Sequence, residues 1–473
     1  MGRAVTRGSA IVVAIVTVGF AAGIMGGFDA QARPAAVRLK TVLCALAAAA
    51  ATLAVLWSHT PPPPPNVVLI LIDTLRRDHL PFYGYPKQTA PFLSTLAARG
   101  VVFDNAHSVS AWTPPAAASL FSSLYPFEHG VVRGIALAKR QERLRGVEIR
   151  LPKLPRAVET IPEALRRRGY ATWAITENPN LTPELGFDQG FQNFSAFPKN
   201  LEAETISARL FEQAEAITAR PPYFLYLHYM DVHAPYRERA PFFDASLEGD
   251  ARRISGYDSG IHHVDAHLRR AFEGLEWAQN TVVIVTADHG EELGERGHFG
   301  HGASLYSEVL DIPFLVYLPG GAGGGRRVPD RVSLIDVLPT LRALAGLPAA
   351  RSDAGFSLLS VLQDPRARLP PRPLLAHLRR GERKDGREAA LRATLLGDWK
   401  RIGGDPQGAL LFHLPSDPRE ERNQARALPE LEKRLQRLFQ EREARATSYA
   451  GETAALDLDA EEIEGLKALG YVN

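Results

Sequence analysis

The apolar positions of this chain fall into short β-branched runs separated by longer stretches with helical spacing. Val282-Val283-Ile284-Val285-Thr286 is followed at once by Ala287-Asp288-His289-Gly290. A second run, Val67 to Ile72, stops at Asp73, and a third, Tyr223 to Tyr229, leads to Asp231 and His233. Unbroken apolar runs of this length predict strands buried on both faces, as in parallel sheets. Helical patterning occupies Ala90 to Gly100, Thr160 to Gly169 (with Thr160 as N-cap), 201–219, 255–276 and Asp336 to Gly346. Strand and helix therefore alternate from Asn66 onward, which predicts an α/β fold with a doubly wound sheet flanked by helices. Ligands bind such sheets beyond the carboxyl ends of the strands. Three runs that each deliver acids or imidazoles to that end predict a functional site there.

The same pattern divides the chain into three parts. Residues 1–65 hold two apolar stretches, Ala10 to Gly27 and Thr41 to Trp57, with Arg33, Arg38 and Lys40 between them and Pro61 to Pro65 after them. Stretches of ~20 apolar residues can span a bilayer, and basic flanks stay cytoplasmic. This part is expected to be a membrane anchor of one or two spans with a stiff polyproline tether. The rest of the chain is then expected at the cell membrane on its extracytoplasmic side. Residues 66–371 make the predicted catalytic domain. A glycine cluster at 321–325 and prolines at 365–373 lead to a smaller α+β part over 372–473, with strands at 390–399 and 408–414, a charged helix at 428–445 and a tail from 446.

Composition changes this picture little. The chain has 473 residues, 45% hydrophobic and 23% charged, with a net charge of +2 and no basic stripe, which argues against a nucleic-acid partner. The single cysteine, Cys44, lies in the apolar N-terminal part and excludes thiolate chemistry elsewhere. Oxygen and imidazole donors remain. Asp73, Thr113, Asp288 and His289 make a set suited to one divalent cation, and calcium, manganese, magnesium and zinc all suit it. Thr113 precedes Pro114 and reads as a helix N-cap with proline in the first turn. A helix N-terminus also attracts oxyanions, and a hydroxyl held by a metal ionises readily into a nucleophile.

At these residues the chain resembles the sulfatase family of the alkaline phosphatase superfamily. The likeness is carried by Asn66 through Asp78, by Met230-Asp231-Val232-His233-Ala234-Pro235-Tyr236, and by Thr286 through Gly302. It continues in Leu334 through Leu341 and returns at Leu411 through Asn423. The resemblance implies an alkaline-phosphatase-like mixed, mostly parallel sheet with a smaller C-terminal subdomain. It implies that Asp73, Asp288 and His289 bind metal, that His233 binds a substrate oxygen and that His301 protonates the leaving group. His228, His262, His263 and His298 fit no family position and read as structural or loop residues. A two-metal arrangement with Asp231, His233 and His301 is disfavoured by the short Asp-x-His spacing.

The chain also departs from the family. Sulfatases carry Cys or Ser in Cys/Ser-x-Pro-x-Arg and convert it to formylglycine, whereas here Thr113, Pro115 and Ala117 stand at the nucleophile, proline and arginine positions. Threonine carries a methyl group on Cβ, so no formylglycine is expected. Thr74 replaces the second aspartate of the usual acidic pair. Glu177-Asn178-Pro179-Asn180 stands where a lysine-bearing motif is expected, and Asn178 or Asn180 is the candidate neutral donor in place of the substrate-binding lysine. The expectation is a metal-dependent ester hydrolase or group transferase with Thr113 as nucleophile. Its expected substrates are phosphate mono- or diesters of envelope lipids or glycans. The alternatives are a sulfatase acting on a sulfated glycan and a catalytically silent binding protein.

Overall fold

The three apolar runs become adjacent strands near the middle of a nine-stranded sheet. The computed structural model describes residues 45, 47, 64–135, 150–197, 202–382, 388–404, 408–449 and 452–455. The two apolar stretches of the expected membrane anchor lie outside the described residues apart from Ala45 and Ala47. Among the described residues, no helix is long and apolar enough to cross a membrane. The described residues from 64 onward form one compact unit.

The strands of the large sheet are β1 (Asn66–Ile72), β2 (Val101–His107), β3 (Ala171–Thr176), β4 (Asn193–Ala196), β5 (Tyr223–Tyr229), β6 (Thr281–Thr286), β7 (Asp311–Ile312), β8 (Phe314–Tyr317) and β9 (Arg326–Ser333). β1 lies between β5 and β6 and is parallel to both. β3 continues the parallel set beside β5 and carries β4. On the other side β8 joins β6 and β2 antiparallel, while β2 also pairs β7 antiparallel and β9 parallel. The expected mixed, mostly parallel sheet is therefore present. Every residue of β5 and β6 is buried, and so is all of β1 except Asn66. That is why these runs do not alternate with polar positions. Each buried Leu, Ile or Val side chain in them contributes roughly 1.5–3 kcal/mol of apolar burial.

Helices cover the sheet. Those that matter for the site are α1 (Pro91–Ala97), α2 (Thr113–Ser122), α3 (Ala203–Thr218), α4 (Gly249–Gly274) and α5 (Val337–Leu344). All ten residues of α2 are buried, so it is a core helix rather than a surface one. α3 and α4 pack together, α1 packs on α4, and α2 packs on α5. Thr160 caps its helix as expected, its N–H donating to Glu163 at 2.9 Å. α1 has no such local cap. Asp265 of α4 supplies it by accepting the N–H groups of Phe92 and Leu93, each at 2.8 Å.

Burial pushes the Asp265 carboxyl up to about 6, against the pull of those two N–H donors. The unfolded carboxyl titrates near ~3.9, so between these values the folded chain holds more proton than the unfolded chain. The stability due to this group is therefore full below the unfolded value and falls as pH rises from about 4 through about 6. Wild type should lose roughly 2–3 kcal/mol relative to Asp265→Asn across that window, because a tenfold change in proton affinity is worth ~1.4 kcal/mol. Urea melts of both proteins at pH 4, 5, 6 and 7 check this; a pH-independent difference would contradict it.

The C-terminal part holds more strand than the sequence pattern indicates. β10 (Leu374–Glu382), β11 (Glu388–Leu396), β12 (Trp399–Gly404) and β13 (Leu410–His413) form a four-stranded antiparallel sheet in chain order. β10 begins directly after the prolines that read as linker, and β12 was not expected. The charged helix α6 (Pro429–Ala444) buries Leu435 and Phe439 and packs on β11 and β12. Thr453–Ala455, expected as tail, pairs with Arg150–Pro152. Ala376, Leu378, Leu391 and Phe412 of the small sheet share one apolar cluster with Ala111, Leu305, Val309 and Leu310. The His377 N–H donates to the Val109 carbonyl at 2.8 Å. The small sheet thus supports the segment that enters α2.

Candidate metal and catalytic site

Parallel register fixes where the chemistry lies. Ile72 is opposite Tyr229 and Leu71 is opposite Thr286, so the residues after β1, β5 and β6 emerge at one level. The Asp73 N–H still donates to the Tyr229 carbonyl at 2.9 Å. The chain then turns sharply at Thr74, whose φ of 57° is rare for a β-branched residue. That strained turn aims the Thr74 N–H at Asp288 Oδ1, 3.3 Å away, and the Tyr257 hydroxyl holds it by donating to the Thr74 carbonyl at 2.8 Å. Thr74 therefore serves the site through its backbone, although its side chain replaces an acid of the family pattern.

Asp73, Asp288 and His289 are fully buried, and one ligand atom from each lies within 4.8 Å of the others. The His289 Nδ1–H donates to the Gly290 carbonyl at 2.8 Å, which leaves the Nε2 lone pair directed at the two acids. Asp73 Oδ1 and Asp288 Oδ2 are buried without a hydrogen-bond partner, and His289 Nε2 is 3.3 Å from the latter. Two buried carboxylates with unsatisfied oxygens are unfavourable unless a cation meets them. This donor set fits a divalent metal ion. Burial raises the Asp288 carboxyl, and the adjacent Asp73 raises it further. Burial would raise Asp73 too, but the hydrogen bond from His228 and the nearby His233 outweigh it and hold Asp73 below the usual carboxylate range.

Thr113 reaches this group from the other side. Its Oγ1 is 3.3 Å from Asp73 Oδ2 and 3.4 Å from His289 Nε2. The sequence places Thr113 at the N-cap, but here it is the first residue of α2, Trp112 is the N-cap and Pro114 follows as the second helical residue. The physical reason is that the hydroxyl points to the acids and imidazole rather than back to the helix N–H groups. Trp112 is fixed in turn by Gly302, at φ 78°, where an added Cβ would come within 2.3 Å of the indole ring.

The two histidines expected on the substrate side also lie here. His233 and His301 have ring centroids 5.0 Å apart, and His301 lies 4.4 Å from His289. The His233 Nδ1–H donates to the Ala234 carbonyl at 2.6 Å. His301 Nδ1 is 2.9 Å from Glu291 Oε1. Burial pushes Glu291 up to about 7, while burial and the neighbouring His289 push His301 down to about 3. Asp231 turns away from them. Its carboxylate pairs with Arg239 at 2.8 Å, which separates it from the group of Asp231, His233 and His301 considered for a second ion.

Asn178 sits beside the metal ligands, but its amide donates to Asp73 Oδ2 at 2.8 Å. His228, set aside in the sequence, donates from Nε2 to the same oxygen at 3.1 Å, and the Tyr226 hydroxyl at 2.8 Å from its Nδ1 fixes that tautomer. The available signal was period two on β5, which puts Tyr226 and His228 on one face. Glu291 lay inside the Asp-His-Gly-Glu motif without a role. His298 is exposed in the turn between Glu292–Leu293 and Phe299–Gly300, as expected of a loop residue. Among the described residues, no lysine or arginine hydrogen-bonds or ion-pairs with Asp73, Thr113, Asp288 or His289.

Glu291 should act as more than a fixed acceptor. With Glu291→Gln the His301 ring keeps a partner but loses an exchangeable proton. We expect kcat on an alkyl ester to fall ~100-fold, in the usual range for proton transfer, and to change little on a p-nitrophenyl ester that leaves unaided. Equal losses on both substrates would count against the role.

Comparison with known proteins places the chain in a family. The human N-acetylgalactosamine-6-sulfatase is 27% identical over 364 residues, covering 65% of this chain and 67% of that protein. Human arylsulfatase A is 27% identical over 356 residues, covering 62% and 67%. Among solved structures, a protein in complex with its substrate D-glucosamine-2-N,6-O-disulfate superposes with a TM-score of 0.66 at 17% identity, over 80% of this chain and 98% of that one. The phosphonate monoester hydrolase from Silicibacter pomeroyi superposes with a TM-score of 0.64 at 20% identity, over 83% and 100%. The sulfatase family model matches residues 65–347, a span that contains the large sheet and every site residue described above. The chain belongs to the sulfatase family of ester hydrolases.

Proposed function

We propose that this protein hydrolyses phosphorus esters, with Thr113 as the nucleophile, and that it prefers monoanionic substrates such as phosphodiesters and phosphonate monoesters. The observation that carries this reading is the Thr113 hydroxyl, set between Asp73 and His289 where no aldehyde can form. The metal site would be held by Asp73, Asp288, His289 and Thr113. When bound, the cation supplies positive charge that favours the ionised alcohol and offsets charge on the substrate oxygens. The ionised Thr113 oxygen attacks phosphorus, and the bond from phosphorus to the leaving oxygen breaks. His301 Nε2–H protonates that oxygen while His301 Nδ1 takes a proton from Glu291. Water then attacks phosphorus of the Thr113 ester, which keeps the substrate's other substituent; the bond from phosphorus to Thr113 Oγ1 breaks, the water's proton goes to His301 Nε2, and the Nδ1 proton returns to Glu291. His233 binds a non-bridging oxygen.

Two arguments favour phosphorus over sulfur. A formylglycine sulfate is released by cleaving its carbon–oxygen bond, a route closed to a threonine ester. Among the described residues no lysine or arginine pairs with the metal ligands, which favours a substrate with one negative charge over a dianion. The likeness to a phosphonate monoester hydrolase supports the same class. An anchor within residues 1–65 would put envelope lipids or glycans within reach. The competing reading, a sulfate ester of a glycan, is favoured by the human sulfatases among the relatives.

The test is a rate comparison on bis-p-nitrophenyl phosphate, p-nitrophenyl phenylphosphonate, p-nitrophenyl phosphate and p-nitrophenyl sulfate. The first two should exceed the last two by at least ~10-fold in kcat/KM, ~1.4 kcal/mol of transition-state preference. Fastest turnover of the sulfate would overturn the proposal.

A further inference from the structure

We infer that the chain holds a second metal site, for zinc, built from Glu204, His263 and His267 where α3 packs on α4. His263 and His267 are four residues apart on α4, so both rings project from one face. Glu204 lies in the first turn of α3. His263 Nε2 is 3.1 Å from Glu204 Oε2, and His267 Nε2 is 3.8 Å from Glu204 Oε1. One ligand atom from each of the three residues lies within 4.8 Å of the other two. Ligands at ~2.1 Å around a tetrahedral zinc ion are ~3.4 Å apart, so these separations need only small side-chain adjustments. The Ser207 hydroxyl lies 2.7 Å from His267 Nδ1, which leaves His267 Nε2 turned to Glu204.

Asp231 borders this cluster. It is 4% exposed, and its Oδ2 has no hydrogen-bond partner. Its Oδ1 is 3.8 Å from His263 Nε2 and 2.8 Å from Arg239. A buried carboxylate beside His263 adds negative charge next to the three ligands, which favours a cation there. Two imidazoles with carboxylates and no sulfur suit zinc and disfavour calcium and magnesium, which take oxygen ligands. Glu204 is exposed and gives the ion a way in.

The ion would tie α3 and α4 to the segment that carries His233, two residues after Asp231. α4 already touches that segment closely, since a Cβ on Gly260 would meet the Asp231 carbonyl at 2.5 Å. This second ion is thus a positioning element for the loop that carries His233, distinct from the Asp73–Asp288–His289 ion.

The experiment strips the full chain with chelator, titrates it with zinc chloride and reads stoichiometry by calorimetry and by elemental analysis after desalting. Wild type should take up about two equivalents. Glu204→Gln and His263→Gln should each retain one, as should Asp288→Asn, and His263→Gln/Asp288→Asn should retain none. Because Glu204 is exposed, its variant tests the site without disturbing the core. In cobalt-loaded Asp288→Asn, the visible absorption of tetrahedral cobalt should remain and should disappear on adding Glu204→Gln. One equivalent in wild type that is lost in Asp288→Asn, or unchanged uptake in both Glu204→Gln and His263→Gln, would overturn the site.

Discussion

Thr113→Ala should reduce kcat/KM by about 10³-fold or more on whichever ester the protein turns over fastest, a loss of ~4 kcal/mol in transition-state stabilisation. The reason is positional. The hydroxyl is the group on α2 that contacts both Asp73 and His289, and α2 is buried along its whole length, so no neighbouring hydroxyl can swing into its place. Thr113→Ser keeps the oxygen and should stay within ~10-fold of wild type. Removing the methyl leaves the contacts of Oγ1 intact. Rapid acid quenching of wild type during turnover should trap a chain heavier by the substrate's phosphorus group with its remaining substituent, and the peptide bearing Thr113 should carry it. Wild-type rates in the alanine variant would remove Thr113 from the chemistry altogether.

Chelation should destabilise the wild-type protein, and Asp288→Asn should reverse the order of stability. With the cation gone, Asp73 and Asp288 are two fully buried carboxylates whose free oxygens face one another's field. An ion at 100 times its Kd stabilises by ~2.7 kcal/mol, and that contribution disappears on chelation. Asp288→Asn removes one of the opposed charges and keeps an oxygen for the N–H groups of Thr74 and His289. The variant should therefore unfold at a higher temperature than metal-free wild type and at a lower one than metal-loaded wild type, with little response to added metal at the active site. Calorimetric scans with and without chelator decide the matter. A variant less stable than metal-free wild type would show that the acids hold the fold without a cation.

Much of the site was legible because buried parallel strands write themselves as unbroken apolar runs, and each run here ends on a polar residue. Asp73, Asp288 and His289 follow directly from that. Thr113 was readable from the helix start at Pro114, although its place as first helical residue depends on a hydroxyl drawn to distant acids rather than to local N–H groups. His228 was hidden by its own strand, since a histidine inside Tyr-Leu-His-Tyr looks like a core residue until Asp73 is known to face it. Glu291 and the cluster at Glu204 needed tertiary packing, because the partners of each come from other elements. β10 and β12 were obscured by composition: prolines precede the first, and lysine and arginine stand inside the second, where Lys400 is buried by pairing with Glu420 at 2.8 Å.

The contact between the small antiparallel sheet and Ala111 bears on how the protein can be divided. The family match ends at residue 347, and a chain trimmed there would keep every reactive group named above. It would also expose Ala111, Leu305, Val309 and Leu310 to water and delete the amide that His377 gives to Val109. Such a fragment should be sticky and slack at the entrance to the threonine helix. The smallest autonomous enzyme in this sequence is accordingly longer than its homology footprint.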